Sequence, residues 1–240
     1  MQTHCTPRQF EFQGPGRREI VARFDGGRIT SDGGVVLLGE VDRRRRIVER
    51  FATCFEDSRE PGSVEHSVEE LLRQRLYALA CGYEDLNDHD ELRSDALLAA
   101  VVGKRDPEGR ERKRERDRGA ALAGKSTLHR LEWGVAGQAD EDRYRRIAIS
   151  AEAVDRFFVD VFLDSHASPP DKIVLDLDAT DDPLHGEQEG RFFHGYYGHY
   201  CYLPLYVFCG RHLLCARLRR SNIDAAAGSV EEVDRIVGQI

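Results

Sequence analysis

The stretch KIVLDLDATDDP, residues 172–183, decides the fold prediction. Three apolar residues lead into Asp176 and Asp178, and Thr180 and a turn follow, which predicts a buried strand that ends in carboxylates. Residues two apart on a strand share a face, so the two acids project together. Neighbouring carboxylates repel and are costly to bury, so the pair indicates either a bound divalent cation or a nucleophile with its proton donor. The alternative is two acids in solvent at the open end of the strand.

The second of these chemistries has a known sequence form. A hydrophobic strand followed by D-x-D-x-T resembles the first motif of haloacid-dehalogenase-like phosphatases, and LDLDAT matches it. That resemblance implies that Asp176 attacks phosphorus and that Asp178 acts as acid and base. Such enzymes build alternating strands and helices after this strand, whereas a hairpin is predicted to follow it here.

Composition bounds the class of protein. The chain has 240 residues, a net charge of −8 and 32% charged residues, which suits one large domain or two small ones. No secretory signal and no apolar segment of about 20 residues is present, so no membrane partner is predicted. The six cysteines include no C-x-x-C pair and indicate reduced thiols in a cytoplasm. The net charge argues only weakly against nucleic acid, because binding depends on where basic groups cluster.

The pattern along the chain predicts a mixed α+β protein. Short strands are predicted between residues 10 and 29, and amphipathic helices follow from Ser31 to about residue 165. Beyond them come the strand KIVLDLD, a long aromatic loop, a hairpin that turns at Gly210–Arg211, and a helix from about residue 224. The last predicted segment of the helical half runs from about Asp140 to Ser165. The final helix has no stop signal, so the chain is expected to be cut off.

Two clusters of basic residues are candidates for DNA phosphate contact. One is the RRRR run at 43–46, and the other is the segment 104–118, which holds eight basic and five acidic side chains. The alternatives are a solvated helix face for the first and a charged loop or exposed helix for the second. The predicted DNA-binding residues are Arg43, Arg44, Arg45, Arg46, Lys104, Arg105, Arg112 and Lys113.

The sequence GAALAGKST, residues 119–127, satisfies the G-x-x-x-x-G-K-[ST] pattern of a phosphate-binding loop. That loop needs a hydrophobic strand before it, and RERKRERDR stands in that place. An ordinary loop before a helix is therefore favoured over an ATP site.

Six potential soft metal ligands lie within 22 residues of one another. Zinc needs four that converge, usually with short paired spacings, and these spacings are irregular. Buried thiols on strands are favoured over a structural zinc site. The six are His194, His199, Cys201, Cys209, His212 and Cys215.

Blocks along nearly the whole chain resemble DDE transposases of the IS1380 type, a branch of the IS4-like insertion-sequence enzymes. The blocks, in order, are RITSDGGVVLLGEVD, HSVEELLRQRLYALACGYEDLNDHDELRSD, KSTLHRLEW, and DLDATDDPLHGEQEGRFFHGYYGHYCYLPLYVF followed by RLRRSN. The resemblance implies a mainly helical DNA-binding region over residues 1–165. Residues 166–240 then form the first part of an incomplete RNase H-like α/β core.

The resemblance also implies a mechanism and a catalytic residue. The first acid of the D-D-E triad precedes a hydroxyl residue two positions on, which selects Asp178 before Thr180. Two Mg²⁺ ions roughly 4 Å apart would hold the attacking and departing oxygens of a phosphodiester, with Asp178 as a ligand. The partner implied is double-stranded DNA, at transposon ends and target, for a cytoplasmic protein associated with the bacterial nucleoid. The oligomeric state of the full-length enzyme stays open, a homo-oligomer included.

The other two acids of the triad are expected downstream, beyond residue 240. With one acid of three, the enzyme assignment stays open, and these residues are predicted to lack strand-transfer activity. A non-catalytic DNA-binding remnant is the alternative.

The predicted loop after Asp178 is rich in aromatic residues. Packing in the core or at strand edges is the favoured role, and stacking on an unpaired base is the alternative. The residues are Phe192, Phe193, Tyr196, Tyr197, Tyr200 and Tyr202.

Overall fold

A computed structural model describes residues 10–13, 19–22, 30, 32–133 and 146–240. The chain separates into two compact units, Met1–Ser150 and Ala151–Ile240. The sequence placed the boundary near residue 165. The difference is one helix, Ala151–Asp164, which packs with elements of the second unit.

Six α-helices form most of the described part of the first unit. They are α1 Val35–Arg45, α2 Ile47–Ala52, α3 Val68–Ala80, α4 His89–Leu92, α5 Ala96–Val102 and α6 Lys125–Glu132. Two antiparallel strand pairs complete it: β1 Phe10–Gln13 with β2 Glu19–Ala22, and β3 Phe55–Asp57 with β4 Ile147–Ile149. The early strands and the helical pattern are thus confirmed.

Helix α3 lies at the centre of the first unit. A capping box starts it, because Ser67 Oγ accepts from the Glu70 N–H while the Glu70 carboxylate accepts from the Ser67 N–H. Its apolar positions at helical spacing, Leu71 and Leu72 among them, are buried in the core of this unit.

The helix predicted from Asp140 to Ser165 is shorter in the structure. Residues 147–149 form β4, which pairs with β3, and the helix begins only at Ala151. Pairing with β3 gives the backbone of this segment its hydrogen bonds, which overrides its helical pattern. The predicted part from 140 to 145 lies outside the described residues.

The second unit contains two helices and two three-stranded antiparallel sheets. Its elements are α7 Ala151–Asp164, β5 Asp176–Ala179, β6 Asp182–Pro183, β7 Phe192–His194, β8 His199–Tyr202, β9 Leu205–Cys209, β10 His212–Arg217 and α8 Ser229–Gln239. The strand orders are β10-β9-β5 and β6-β8-β7. The mixed α+β class and the β9–β10 hairpin are therefore confirmed. The predicted aromatic loop is instead the β6-β8-β7 sheet, because Phe193 and Tyr200 pair across β7 and β8.

An ion-pair network joins three elements of the second unit. Arg217 on β10 donates to Asp155 of α7 at 2.5 Å and to Glu232 of α8 at 2.6 Å. Arg235 also donates to Glu232, at 2.8 Å. Beneath this network lie the buried side chains of Phe162, of strands β9 and β10, and of Ile236. The charged groups thus fix both helices on one sheet.

Candidate functional site

Strand β5 carries the two acids that the sequence singles out. It pairs only with β9, where Asp178 lies opposite Tyr206, and its other edge has no partner strand among the described residues. Asp176 and Asp178 are exposed, and 41% of the Leu177 surface is exposed. The prediction of a buried strand is therefore wrong. An edge strand with one neighbour leaves both carboxylates in solvent, where their charge needs no partner.

The strand also starts later than predicted. It begins at Asp176 rather than at Lys172, and Ile173 and Leu175 pack against the apolar core from the segment before it. These apolar residues anchor the chain just ahead of the acids.

The segment after β5 is tied to the neighbouring sheet. Asp181 accepts a hydrogen bond from His199 Nε2 at 2.8 Å, at the start of β8. Partial burial and the carboxylate of Asp181, with a weaker effect from that of Asp178, raise the pKa of Tyr197. Strand β6, which follows closely after β5 in the chain, pairs with β8, so the sheet of β6, β7 and β8 begins beside the end of β5.

The β7–β8 hairpin presents an aromatic surface. The exposed fractions are 57% for Phe193, 87% for Tyr196 and 47% for Tyr200. The rings of Phe193 and Tyr200 meet edge to face at 5.6 Å, and the guanidinium of Arg191 lies 4.7 Å from the Tyr200 ring centroid. The three rings are not in the core, whereas Phe193 and Tyr200 pack against each other across the paired strands, in line with the strand-edge part of the expectation.

The described residues do not form a complete metal site by themselves. No group of three or more His, Cys, Asp or Glu side chains able to hold a metal occurs among them. Asp178 and Asp176 offer carboxylate oxygens of the kind that Mg²⁺ prefers, but Asp181 is already engaged by His199.

The six soft ligands do not converge either, within the same described part of the chain. Cys201 and Cys215 are buried on strands. Burial and the nearby Glu232 raise the pKa of Cys215 to about 11, which keeps its thiol protonated. This sulfur behaves as a small core side chain rather than as a thiolate ligand.

The arginines at 43–46 lie at the end of α1 and just beyond it. Arg43 and Arg44 both donate to Glu40, and Arg46 is paired with Glu49. All four arginines are exposed, Arg45 included. Arg46 takes a left-handed conformation, with φ of 54°, which separates α1 from α2. Their positive charge faces solvent, partly offset by two glutamates.

The basic residues of segment 104–118 divide into two groups. Lys104 is buried and donates to Glu70 at 2.7 Å, and Arg112 donates to the Ala120 carbonyl at 2.6 Å. Lys113 donates to the carbonyl of Gly62 at 2.6 Å. These three side chains attach the segment to the rest of its unit, whereas Arg105 is exposed. The segment is thus a folded loop rather than a freely solvated one.

The phosphate-binding-loop pattern lacks its structural context. Helix α6 begins at Lys125 after a loop, and no strand lies between Lys104 and Gly124, all of which the structure describes. The favoured interpretation, an ordinary loop before a helix, is confirmed.

A cavity beside α6 was not anticipated from the sequence. It has a volume of about 480 Å³ and is open to solvent. We call it the α6 cleft, and the described residues that line it are Leu86, Asn87, Lys125, Ser126, His129, Arg130 and Trp133. The available signal was the spacing of Ser126, Arg130 and Trp133, which places them on one face of the helix.

Comparison with known proteins places the chain in a family. A family model described as "Transposase DDE domain group 1" matches residues 12–240. The chain therefore belongs to the DDE-domain transposases, a class whose partner is DNA. No curated protein and no solved structure gave a significant match. Among the described residues, no helix has the length and apolar character needed to span a bilayer.

Proposed function

We propose that this protein acts in DNA transposition of the IS1380 type, by cleavage and strand transfer at the ends of an insertion sequence. The observation that carries the proposal is the family match over 12–240, which spans both units. In this proposal, the first unit binds the double-stranded ends. The second unit contributes the first part of an RNase H-like core.

The topology of the second unit supports the RNase H-like assignment. Strand β5, the β9–β10 hairpin and helix α8 come in that order along the chain, with the β6-β8-β7 sheet between β5 and β9. Strands β5, β9 and β10 lie side by side in one antiparallel sheet. This is the strand, hairpin and helix order expected for the start of such a core. The same topology disfavours the phosphatase alternative, because β5 is followed by antiparallel strands and no crossover helix precedes α8 within 176–228.

Asp178 is the proposed catalytic acid. Its carboxylate is exposed at the strand edge and lies near the aromatic hairpin, so a DNA phosphate could approach it. When bound, Mg²⁺ would activate the attacking oxygen and stabilise the departing one. Asp178 would supply one ligand, and the described residues do not supply the complete set.

DNA binding by the first unit is proposed to use its exposed basic side chains. Contacts to phosphate release counterions, so affinity must fall as salt rises. Arg105 and the arginines at 43–46 are exposed and suited to this role. Lys104, Arg112 and Lys113 are proposed to act mainly by holding the basic loop in place, because each donates to a group outside the segment 104–118.

The test is a binding titration with duplexes taken from the DNA that flanks the coding sequence. Fluorescence anisotropy at several salt concentrations should give tighter binding than a shuffled duplex and a slope of log K against log salt clearly below zero. A slope near zero, or no preference for the flanking sequence, would count against the proposal. Hydrolysis of a simple phosphomonoester that Asp176→Asn abolishes would favour the phosphatase instead.

A further inference from the structure

We propose that the α6 cleft binds an unpaired stretch of a DNA strand, with a base stacked on Trp133 and phosphates near Lys125 and Arg130. The inference rests on the proposed function only in taking DNA as the partner. Neither basic cluster recognised in the sequence includes these residues.

The core fixes which face of α6 points into the cleft. Leu128 and Leu131 are buried, at 0% and 4% exposure, in the core of the first unit. Ser126, His129, Arg130 and Trp133 lie away from them and line the cavity. Because the apolar face cannot turn outward without losing its burial, the polar and aromatic face is held toward solvent.

Trp133 provides an aromatic surface that is half exposed, at 50%. Its ring meets that of His129 edge to face at 5.1 Å, which orients the indole within the cleft. Stacking of a nucleic-acid base on an aromatic side chain contributes about 1–3 kcal/mol to the binding free energy, and every base can stack in this way. A closed duplex offers such a free base face only at its ends, so an unpaired strand suits this surface better.

The cations of the cleft complement a phosphodiester chain. Lys125 Nζ lies 3.0 Å from Asp90 Oδ2 and 2.9 Å from Asn87 Oδ1, with about half of its side chain exposed. Arg130 is exposed on the same helix. The volume of about 480 Å³ lies within the range of ligand sites, roughly 300–1,000 Å³.

Trp133 also makes the site directly observable, because it is the only tryptophan of the sequence. The 240-residue protein would be titrated with a single-stranded oligonucleotide of about ten nucleotides, within the usual site size. The same sequence as a blunt duplex and the mononucleotide dAMP would be titrated in parallel. We expect saturable quenching of tryptophan emission by the single strand, weakened by salt, and little change with the other two.

Variants separate stacking from a purely structural role. Trp133→Ala should weaken single-strand binding about tenfold by anisotropy, whereas Trp133→Phe should stay within about threefold of wild type. Arg130→Ala should reduce the magnitude of the slope of log K against log salt by about one. The matched control is Arg156→Ala, the same charge change on α7, which should leave binding unchanged. Melting temperatures from circular dichroism would show that each variant is folded.

Several outcomes would overturn the inference. If the protein binds DNA by anisotropy, yet its emission is unchanged and Trp133→Ala binds normally, the cleft is not the site and the proposed function stands. Equal quenching by dAMP would assign the cleft to free nucleotides, and equal quenching by the blunt duplex would show that the cleft does not require an unpaired strand. If no DNA of any kind binds, the proposed function fails together with the inference.

Discussion

Asp181 and His199 are joined by a 2.8 Å hydrogen bond between carboxylate Oδ2 and imidazole Nε2. The bond ties the chain just after β5 to the first residue of β8. Since Asp178 lies only three residues before Asp181, this contact sets the position of the aromatic hairpin beside the candidate catalytic acid.

Asp181→Asn is expected to loosen the hairpin without unfolding the protein. The pair is partly exposed on both sides, so its loss should cost less than about 1 kcal/mol of unfolding free energy. Amide hydrogen exchange over residues 192–202 should become faster, since these strands depend on the contact. The control is Asp182→Asn, an exposed neighbour. Unchanged protection in Asp181→Asn would show that the strand pairing alone positions the hairpin.

Asp178→Asn is expected to leave stability unchanged, within about 0.5 kcal/mol, because its carboxylate is exposed. The contrasting change is Asp155→Asn, which removes a charge that is 5% exposed and bound by Arg217. We expect a loss of about 2 kcal/mol, less than for a fully buried pair because the Arg217 side chain is 35% exposed. Urea unfolding measures both. A large loss in Asp178→Asn would indicate a structural role for that acid.

The sequence predicted local elements better than their surroundings. Residues 68–80 show helical spacing and a capping box, and both features act within a few residues, so α3 was readable. A strand at the two acids was predicted correctly, but it begins later than predicted and its exposure was not anticipated. Burial depends on how many strands pair with it, and that count is not encoded in the strand itself.

The candidate sites show the same division. The acid at 178 and the basic clusters could be named from residue type and spacing. Whether a basic side chain faces DNA or its own protein could not be predicted. Arg112, for example, donates to the backbone carbonyl of Ala120, and a backbone acceptor leaves no pattern of residue types in the sequence. The α6 cleft was missed because it needs Leu86 and Asn87, which lie about 40 residues earlier in the chain.

Lys104→Met and Arg105→Ala should separate the structural from the DNA-facing role of neighbouring cations. Lys104 is buried against Glu70, so its replacement should lower the melting temperature by several degrees, through loss of a partly buried pair. Arg105 is exposed, and its replacement should leave melting unchanged while lowering the salt slope of DNA binding by about one. Thermal unfolding and anisotropy measure the two effects. The opposite pattern would place Lys104, rather than Arg105, on the DNA.

The first unit is expected to lose stability in mild acid. Burial, with nearby cations, lowers the pKa of His66 to about 3 and that of His89 to about 4. His89 Nδ1 accepts from the Gln74 amide, whose own oxygen is held by the Ala123 N–H. Its Nε2 is buried without a hydrogen-bond partner among the described residues. A second proton on His89 would therefore break an internal bond.

The sign of this effect follows from proton binding. In the unfolded chain both histidines titrate near 6.5, so between about pH 6.5 and pH 4 only the unfolded state takes up the protons. The contribution of these histidines to the free energy of unfolding should be constant above that window and fall within it by up to about 1.4 kcal/mol per pH unit for each histidine. Urea unfolding at pH 7, 6 and 5, followed by Trp133 emission, tests this. His89→Gln should flatten the dependence, and His185→Gln, an exposed control, should not.

Gly109 is expected to be required for the fold of the charged segment 104–118. Its φ is +66°, and an added Cβ would lie 2.7 Å from the backbone nitrogen of Ala121. Backbone atoms of a folded loop cannot move aside as a flexible side chain can, so strain and steric overlap add. Gly109→Ala should therefore lower the free energy of unfolding by about 2–3 kcal/mol. Trypsin should also cleave the segment at its arginines more readily.

Gly119 offers the matched control for this prediction. Its φ is also positive, at +87°, but an added Cβ would meet nothing within 4 Å. Gly119→Ala should introduce backbone strain without steric overlap, and so lower the free energy of unfolding by only about 1 kcal/mol. The difference between the two variants in urea unfolding then measures the close contact between Gly109 and the Ala120–Ala121 backbone. Equal losses would mean that the loop does not rest against that backbone.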